Sequence, residues 1–289
     1  MDPRASYSLP SLGSLATITR LDELVTRIVA PNASSMTLDG TNTYIVGIPE
    51  SGTCIVIDPG PVSRDHLDRV ESVLALADAE VAMVLVTHHH LDHAAAARKW
   101  AAKWGCTVAA HSADVAGPGG LVLAGYEQIL RFGSLQLEVV PTPGHCADHV
   151  AFRLGNGSLF SGDHVLGRGT SVLTWPEGDL VAYIESLQKM LKLGPDPLYA
   201  GHGPELVGEA PKRVIKYYLD HRLFRETQVI SILGAGPARL EVITDLIYSG
   251  LVDDLKEASR QSTRACLDKL MRDDKIEQLS DGTWAMLVP

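Results

Sequence analysis

The segment "THHHLDH" (residues 87–93) places four histidines and one aspartate within seven residues of a chain that holds 11 histidines in all. Three protonated imidazoles this close would repel one another, and burial would add to the penalty. A bound dication reverses the problem, because it holds imidazoles neutral and carboxylates ionised and makes each a ligand. The spacing His88-x-His90-x-Asp92-His93 suits that role. Residues two apart in extended chain point the same way, whereas Asp92 and His93 fall where the chain turns into a helix and aim elsewhere. One cluster can therefore feed two neighbouring cations. His89 is expected to point away from the set.

Four ligands from one loop leave two sites incomplete. Three further candidates each follow a strand-like segment: His145 in "PTPGHCADH", Asp163 in "LFSGDHVLG" and His202 in "YAGHGP". A glycine beside each lets the backbone approach a ligand closely. Cations about 3.5–4 Å apart can hold a hydroxide at neutral pH, which attacks a carbonyl carbon or a phosphorus. No serine or cysteine nucleophile is then needed, and no G-x-S-x-G is present. Asp92 is read as steering the nucleophile's proton. Zinc is the expected metal for imidazole and carboxylate ligands, with iron and manganese as competitors. His149 and His164 are read as structural, with a supporting or substrate-facing role as the alternative. His66, His111 and His221 are read as surface or core residues, and Cys146 as a small buried hydrophobe. Thr41, Asn42 and Gly169-Thr170-Ser171 are read either as facing the site or as plain connections, with no part in catalysis.

The elements that must carry these residues alternate between strands and helices. "TNTYIVG" and "TCIVIDPG" read as neighbouring strands around the turn "IPESG". Ser63 caps a helix through "RDHLDRVESVLALA". The buried strand "VAMVLV" delivers the histidine loop, followed by a helix that Gly105 stops and the strand "CTVAA". "LQLEVV", "HVAFRL" and "SLFSGD" are further short strands. Asp179 opens a helix, and "PLYAGHG" runs from strand into loop. From about Glu226 the texture changes to three helices and a hairpin turning at Asp281-Gly282, which is a winged-helix pattern. The expected division is therefore 1–222 for the metal-binding domain and 223–289 for the winged helix.

Composition sets outer limits. With 45% hydrophobic and 21% charged residues the chain is an ordinary globular one, long enough for a large core, so a metal is not needed simply to fold. A formal net charge of −10 disfavours nonspecific nucleic-acid binding. Residues 222–289 carry nine Lys/Arg against eleven Asp/Glu, whereas a nucleic-acid reader carries a basic face. A lid, a dimerisation element giving a homodimer, or a substrate wall is the favoured role for that segment. The four cysteines form no C-x-x-C pair and read as reduced thiols. No apolar run approaches the roughly 20 residues that span a membrane. The N-terminal stretch lacks the pattern of a secretory leader, so the expected compartment is the cytoplasm, with the mitochondrial matrix as the alternative.

H-x-H-x-D-H with a later lone His, an Asp and a His resembles the metallo-β-lactamase-fold superfamily over residues 15 to 222. The resemblance implies an α/β (α+β) fold, a four-layer αβ/βα sandwich, here with a small C-terminal winged-helix domain. It implies that His88, His90 and His145 bind one metal, that Asp92, His93 and His202 bind a second, and that Asp163 bridges, so that Asp92 and Asp163 carry the catalytic roles. Flavodiiron members have Glu where His90 stands, which argues against oxygen reduction. A mononuclear iron persulfide dioxygenase ranks low. True β-lactamases of the fold lack a bridging Asp. Typical glyoxalase II enzymes differ around the last histidine, so no glutathione specificity is expected. "MTLDGTNTYIVG", "VIDPGP", "GDHVLGRGTSV", "GHGPEL" and "YLDHRLFRETQVISIL" with the winged helix resemble the β-lactamase-like protein 2 family, which includes a mitochondrial single-strand-selective endoribonuclease and fungal thioesterases acting on acyl carrier proteins. The expected function is a binuclear metallohydrolase acting on an ester or thioester of a small acyl substrate. Hydrolysis of single-stranded RNA is the alternative, and a nonenzymatic nucleic-acid-binding regulator the third possibility.

Overall fold

Strands apolar on both faces decide where the layers form. The computed structural model describes residues 2–7, 9–48, 52–126 and 128–287. In β3 (Asn42–Ile48) and β4 (Thr53–Ile57), after β1 (Ile18–Arg20) and β2 (Val25–Val29), one face carries Tyr44, Val46, Ile55 and Ile57 and the other Ile45, Cys54 and Val56. Successive side chains of a strand point to opposite faces, so a sheet apolar on both sides must be covered on both sides. The described residues pair these strands with β5 (Glu80–Leu85), β6 (Thr107–Ala110) and β7 (Leu121–Val122) in the order β1-β2-β3-β4-β5-β6-β7. The β1–β4 pairings are antiparallel and those from β4 to β7 parallel.

Helices α1 (Arg64–Leu76), α2 (Leu91–Ala94), α3 (Ala97–Trp104) and α4 (Ala113–Ala116) connect the parallel strands. Ser63 accepts the His66 N–H at the start of α1, and Gly105 closes α3 in the left-handed conformation at φ 67°. Val70, Leu74 and Trp100 cover Val56, Val84 and Val86 on the outer face of this sheet.

A second sheet, ordered β12-β11-β10-β9-β8, comprises β8 (Gln128–Phe132), β9 (Leu135–Pro141), β10 (Val150–Leu154), β11 (Leu159–Gly162) and β12 (Leu198–Ala200). Its inner residues Leu137, Val139, Phe152, Phe160 and Tyr199 meet Tyr44, Val46, Ile55 and Ile57 in the central layer. Its outer face is covered by α5 (Leu180–Leu193) and α6 (Ala210–Gly234), through Tyr183, Leu187, Met190, Val214 and Tyr218. Helix, sheet, sheet, helix is the four-layer arrangement expected from the resemblance.

The C-terminal segment forms α7 (Leu240–Ile247), α8 (Lys256–Arg272) and the hairpin of β13 (Ile276–Gln278) with β14 (Trp284–Met286). The sequence predicts a new helix near Glu226, but the backbone of α6 runs unbroken from Ala210 to Gly234. Its buried stripe Val214, Tyr218, Arg222, Glu226, Val229 and Leu233 continues straight across residue 222, where the sequence reading divides the chain. Ile243, Ala265, Leu267, Leu270 and Trp284 belong to the same core as Tyr183 and Val214.

Alternation does not mark β1 and β2. Arg27 interrupts β2, and it is buried because Glu205 pairs with it at 2.7 Å. Of the turn read as "IPESG" (residues 48–52), residues 49–51 lie outside the described residues. No helix among the described residues is long and apolar enough to cross a membrane.

Candidate metal centre

The site forms where the two sheets are stitched together at one edge. Val150 N–H donates to Thr87 O at 2.8 Å, Asn42 N–H to Gly201 O at 2.8 Å and Gly201 N–H to Gly162 O at 2.8 Å. These bonds tie the chain leaving β5 to the start of β10, and the start of β3 to the loop after β12, which is itself held to the end of β11.

Asp58 organises the first half. It leaves β4 with a positive φ of 50°. Its Oδ1 accepts the Thr87 N–H, and its Oδ2 accepts both the Thr87 hydroxyl and the His93 Nδ1–H, at 2.8, 2.8 and 2.9 Å. The Thr87 hydroxyl, its proton committed to Asp58, accepts from His88 Nδ1 at 2.9 Å. Both rings therefore carry their proton on Nδ1 and turn Nε2 inward. His145 is fixed the same way by the Val172 carbonyl at 2.7 Å, and His202 by the Gly40 carbonyl at 3.1 Å.

All seven predicted residues converge. His90 Nδ1 stands 3.1 Å from His88 Nε2 and 3.1 Å from His145 Nε2. His93 Nε2 and His202 Nε2 are 3.3 Å apart, with Asp92 Oδ2 at 3.5 and 3.3 Å from them. Asp163 lies between the groups: Oδ1 is 3.3 Å from His93 Nε2, while Oδ2 is 3.4 Å from His202 Nε2 and 4.0 Å from His145 Nε2. Ligand atoms around a tetrahedral ion at about 2.0–2.1 Å lie roughly 3.3 Å apart. The donor set fits divalent cations on that spacing, and on two further grounds. Three imidazole nitrogens facing one another have too few protons to satisfy one another, and the buried Asp163 Oδ1 makes no hydrogen bond. His88, His90 and His145 could hold one ion, and Asp92, His93 and His202 another.

The electrostatics divide along the same line. Burial pushes His88 well below the usual imidazole range, lowers His90, and takes His145 down to about 4. These three rings are uncharged near neutral pH, as the ligands of a cation must be. At His93 burial acts in the same direction, but Asp163, Asp92 and Asp58 outweigh it and hold the ring well above its ordinary value. At His202 burial is likewise outweighed, chiefly by Asp163, and the pKa rises to about 9. Burial would raise both aspartates, yet the facing imidazoles hold Asp92 at about 2 and Asp163 well below the carboxylate range. The second group is thus a cluster of opposite charges.

Sequence reasoning missed Asp58, and offered Asn42 and His149 only as alternatives to a plain structural reading. Asp58 was legible only as part of "VIDPGP"; the signal was a carboxylate ending the strand beside the one that feeds the histidines. Asn42 clamps the His202 loop by donating from Nδ2 to the Ala200 and Gly203 carbonyls at 2.9 and 2.8 Å. His149 supports Asp163 directly, since its Nε2 accepts the Asp163 N–H at 3.2 Å while Nδ1 donates to Thr142 Oγ1 at 2.8 Å. His164 packs on Tyr183 at 4.2 Å. His89 does turn aside, onto Asp148 at 2.7 Å and Glu177 at 3.3 Å. Gly201 leaves room for Asp163: a Cβ there would stand 2.3 Å from Oδ1.

A cavity of about 440 Å³ opens onto Asp92, Asp163 and His202. One wall is the loop of Gly169, Thr170 and Ser171, and another comes from α8 through Ser262 and from the connection between α7 and α8 through Tyr248, Leu251 and Leu255. His221, read from the sequence as surface or core, lines it too. The remaining faces of α8 are spent on packing, with Thr263, Cys266, Leu267 and Leu270 buried. Arg264 lies between the rings of Trp175 and Trp284, and Arg260 pairs with Glu257.

An αβ/βα sandwich with a His/Asp centre at the shared edge of its sheets is the architecture of the metallo-β-lactamase-fold hydrolases. The chain belongs to the metallo-beta-lactamase superfamily, which residues 36–202 match, while residues 240–284 match the beta-lactamase associated winged helix domain. It is similar to a Beta-lactamase-like protein 2 homolog of Drosophila melanogaster, 32% identical over 90% of this chain and 91% of the relative. It is also similar to an atrochrysone carboxyl ACP thioesterase of Aspergillus chevalieri, 30% identical over 92% and 86% of the two chains. The fold is shared with a beta-lactamase domain protein from Burkholderia ambifaria, with a TM-score of 0.80 at 20% identity, covering 98% of this chain and 96% of that one.

Proposed function

We propose that the protein is a binuclear metal-dependent hydrolase of an acyl ester or thioester. In this reading His88, His90 and His145 hold one divalent cation, and Asp92, His93 and His202 hold a second. Asp163 faces both, and zinc is the preferred metal. The observation that carries the proposal is the convergence of seven His and Asp side chains at near-tetrahedral spacing on the floor of a cavity. A relative named as a thioesterase supports the acyl class.

Cations bound there supply Lewis acidity and an ionised water near neutral pH. The protein's part is orientation and proton management. Asp58, Thr87, Val172 and Gly40 fix each imidazole so that its ligand nitrogen faces inward. Asp163 remains ionised between the two groups. Asp92, the more exposed of the two aspartates, takes the proton of the attacking water. That proton passes to the departing alkoxide or thiolate as the acyl carbon–oxygen or carbon–sulfur bond breaks. The cavity walls keep bulk water from the acyl group.

The test is a comparison of substrates. Protein loaded with zinc, iron or manganese is incubated with acyl-thioester and ester panels and with labelled single-stranded RNA, alongside Asp163→Ala. Turnover of acyl substrates that is lost in the variant is expected. RNA cleavage lost in the variant, with no acyl turnover, would replace this reading by the nuclease one.

A further inference from the structure

We propose that Arg222 determines specificity by binding a carboxylate carried on the acyl part of the substrate, away from the bond that breaks. The proposal rests on the acyl-hydrolase reading above.

Three arginines are buried among the described residues: Arg4, Arg27 and Arg222. Arg4 pairs with Asp2 at 2.7 Å and Arg27 with Glu205 at 2.7 Å. Arg222, 4% exposed, has no carboxylate within ion-pairing distance among the described residues. Its Nη2 donates to the Ser171 carbonyl, its guanidinium lies 4.8 Å over the Tyr183 ring, and its buried Nε has no partner. A carbonyl and an aromatic face soften the burial of a guanidinium, but neither supplies the opposite charge. Desolvating an ion without one costs several kcal/mol, so a ligand that brings the charge binds with an advantage.

Arg222 lines the cavity above the metal centre. The carboxylates lining that cavity are Asp92 and Asp163, and both face His93 and His202. Two bound dications would more than neutralise them, leaving the cavity positive. Arg168 on the same wall adds to that charge. Leu166, Leu251 and Leu255 supply apolar surface for a carbon chain. A volume of about 440 Å³ is that of a site for one small molecule, and the planar guanidinium suits a carboxylate. A short apolar chain with an anionic end satisfies the leucines and the arginine together. A neutral acyl chain leaves Arg222 unpaired.

The experiment compares adipyl and hexanoyl thioesters of N-acetylcysteamine on the metal-loaded full-length protein. Calorimetry of free adipate and hexanoate runs in parallel. Wild type is expected to prefer adipyl in kcat/KM by at least about tenfold, the effect of one charge-assisted hydrogen bond. Arg222→Met should bring that ratio towards one, with Arg222→Lys retaining part of it. Equal rates for the two substrates in wild type overturn the proposal and leave the hydrolase reading intact. A parallel fall for both in Arg222→Met also overturns it, because loosening Ser171 would act on every substrate alike. Selective adipate binding that requires Arg222, without turnover of either thioester, sustains the anion site and removes the acyl-hydrolase reading. Should Arg222→Met fail to fold, Arg222→Lys is read in its place, and an adipyl preference unchanged from wild type in that variant overturns the proposal.

Discussion

The Asp58 carboxylate accepts the Nδ1 proton of His93 at 2.9 Å and with the same oxygen holds the Thr87 hydroxyl that orients His88. One side chain from the neighbouring strand therefore sets the tautomer of a residue in each proposed metal group. Asn in its place offers one acceptor and one donor and cannot serve Thr87 N, Thr87 Oγ1 and His93 Nδ1 together. Asp58→Asn is expected to weaken metal binding by about 10–100-fold. Competition against a chelating dye reads this, and unaltered affinity in the variant would remove Asp58 from the site.

Gly201 lies against Asp163. An added Cβ would fall 2.3 Å from Asp163 Oδ1, 2.8 Å from His93 Cε1 and 3.0 Å from the Gly162 carbonyl carbon. Backbone and a buried carboxylate cannot both yield. Gly201→Ala is expected to destabilise the fold by about 1–3 kcal/mol and to displace Asp163 from between the two groups. Metal content per chain should drop towards one, because His88, His90 and His145 are not touched. Elemental analysis with a melting curve tests this. Two tightly held ions and an unchanged Tm would refute it.

The reach of the sequence follows the locality of the contacts. The seven converging His and Asp residues were legible because their types are rare and each sits at a strand end marked by glycine or by a turn. Asp58 was not, because its partners lie 29 and 35 residues away, and an aspartate before Pro-Gly reads equally well as a turn residue. Asn42 acts on backbone 158 residues distant. Arg27 broke the alternation of β2 because its charge is cancelled by Glu205, 178 residues on. The continuity of α6 was hidden for another reason. Its C-terminal half changes neighbours, from the second sheet to α7 and α8, and the composition changes with the neighbours although the helix does not end.

His66 links pH to stability outside the metal centre. Its Nε2–H donates to Thr43 Oγ1 at 2.8 Å, since the Thr43 proton goes to the Asp58 carbonyl, and its buried Nδ1 has no partner. Burial takes its pKa down to about 4, with the Arg69 charge assisting. The unfolded chain binds a proton near 6.5 and the folded chain does not until about 4. The contribution is therefore complete above pH 6.5 and is lost as pH falls from 6.5 to 4. Between pH 7 and 5 this one group should remove about 2 kcal/mol. Denaturant melts of wild type and His66→Phe should show a smaller acid loss in the variant. Equal losses would assign the acid sensitivity to other groups.

The C-terminal helices share their core with the second sheet's outer helices. Leu233 and Val229 of α6 lie in one apolar cluster with Ile243, Leu267, Leu270 and Trp284, and the same cluster contains Tyr183, Leu187 and Val214. Polar ties run across the junction as well: Arg272 pairs with Asp179 at 2.8 Å, and Lys269 with Glu226 at 2.9 Å. Elements joined by one buried cluster and one unbroken helix unfold together. Calorimetry of the metal-free protein is expected to give a single transition. Leu270→Ala should lower that transition as a whole, by about 2–5 kcal/mol, without splitting it. Two resolved transitions, with only the lower one moved by Leu270→Ala, would make the winged helix an independent domain and deprive the cavity of a fixed wall.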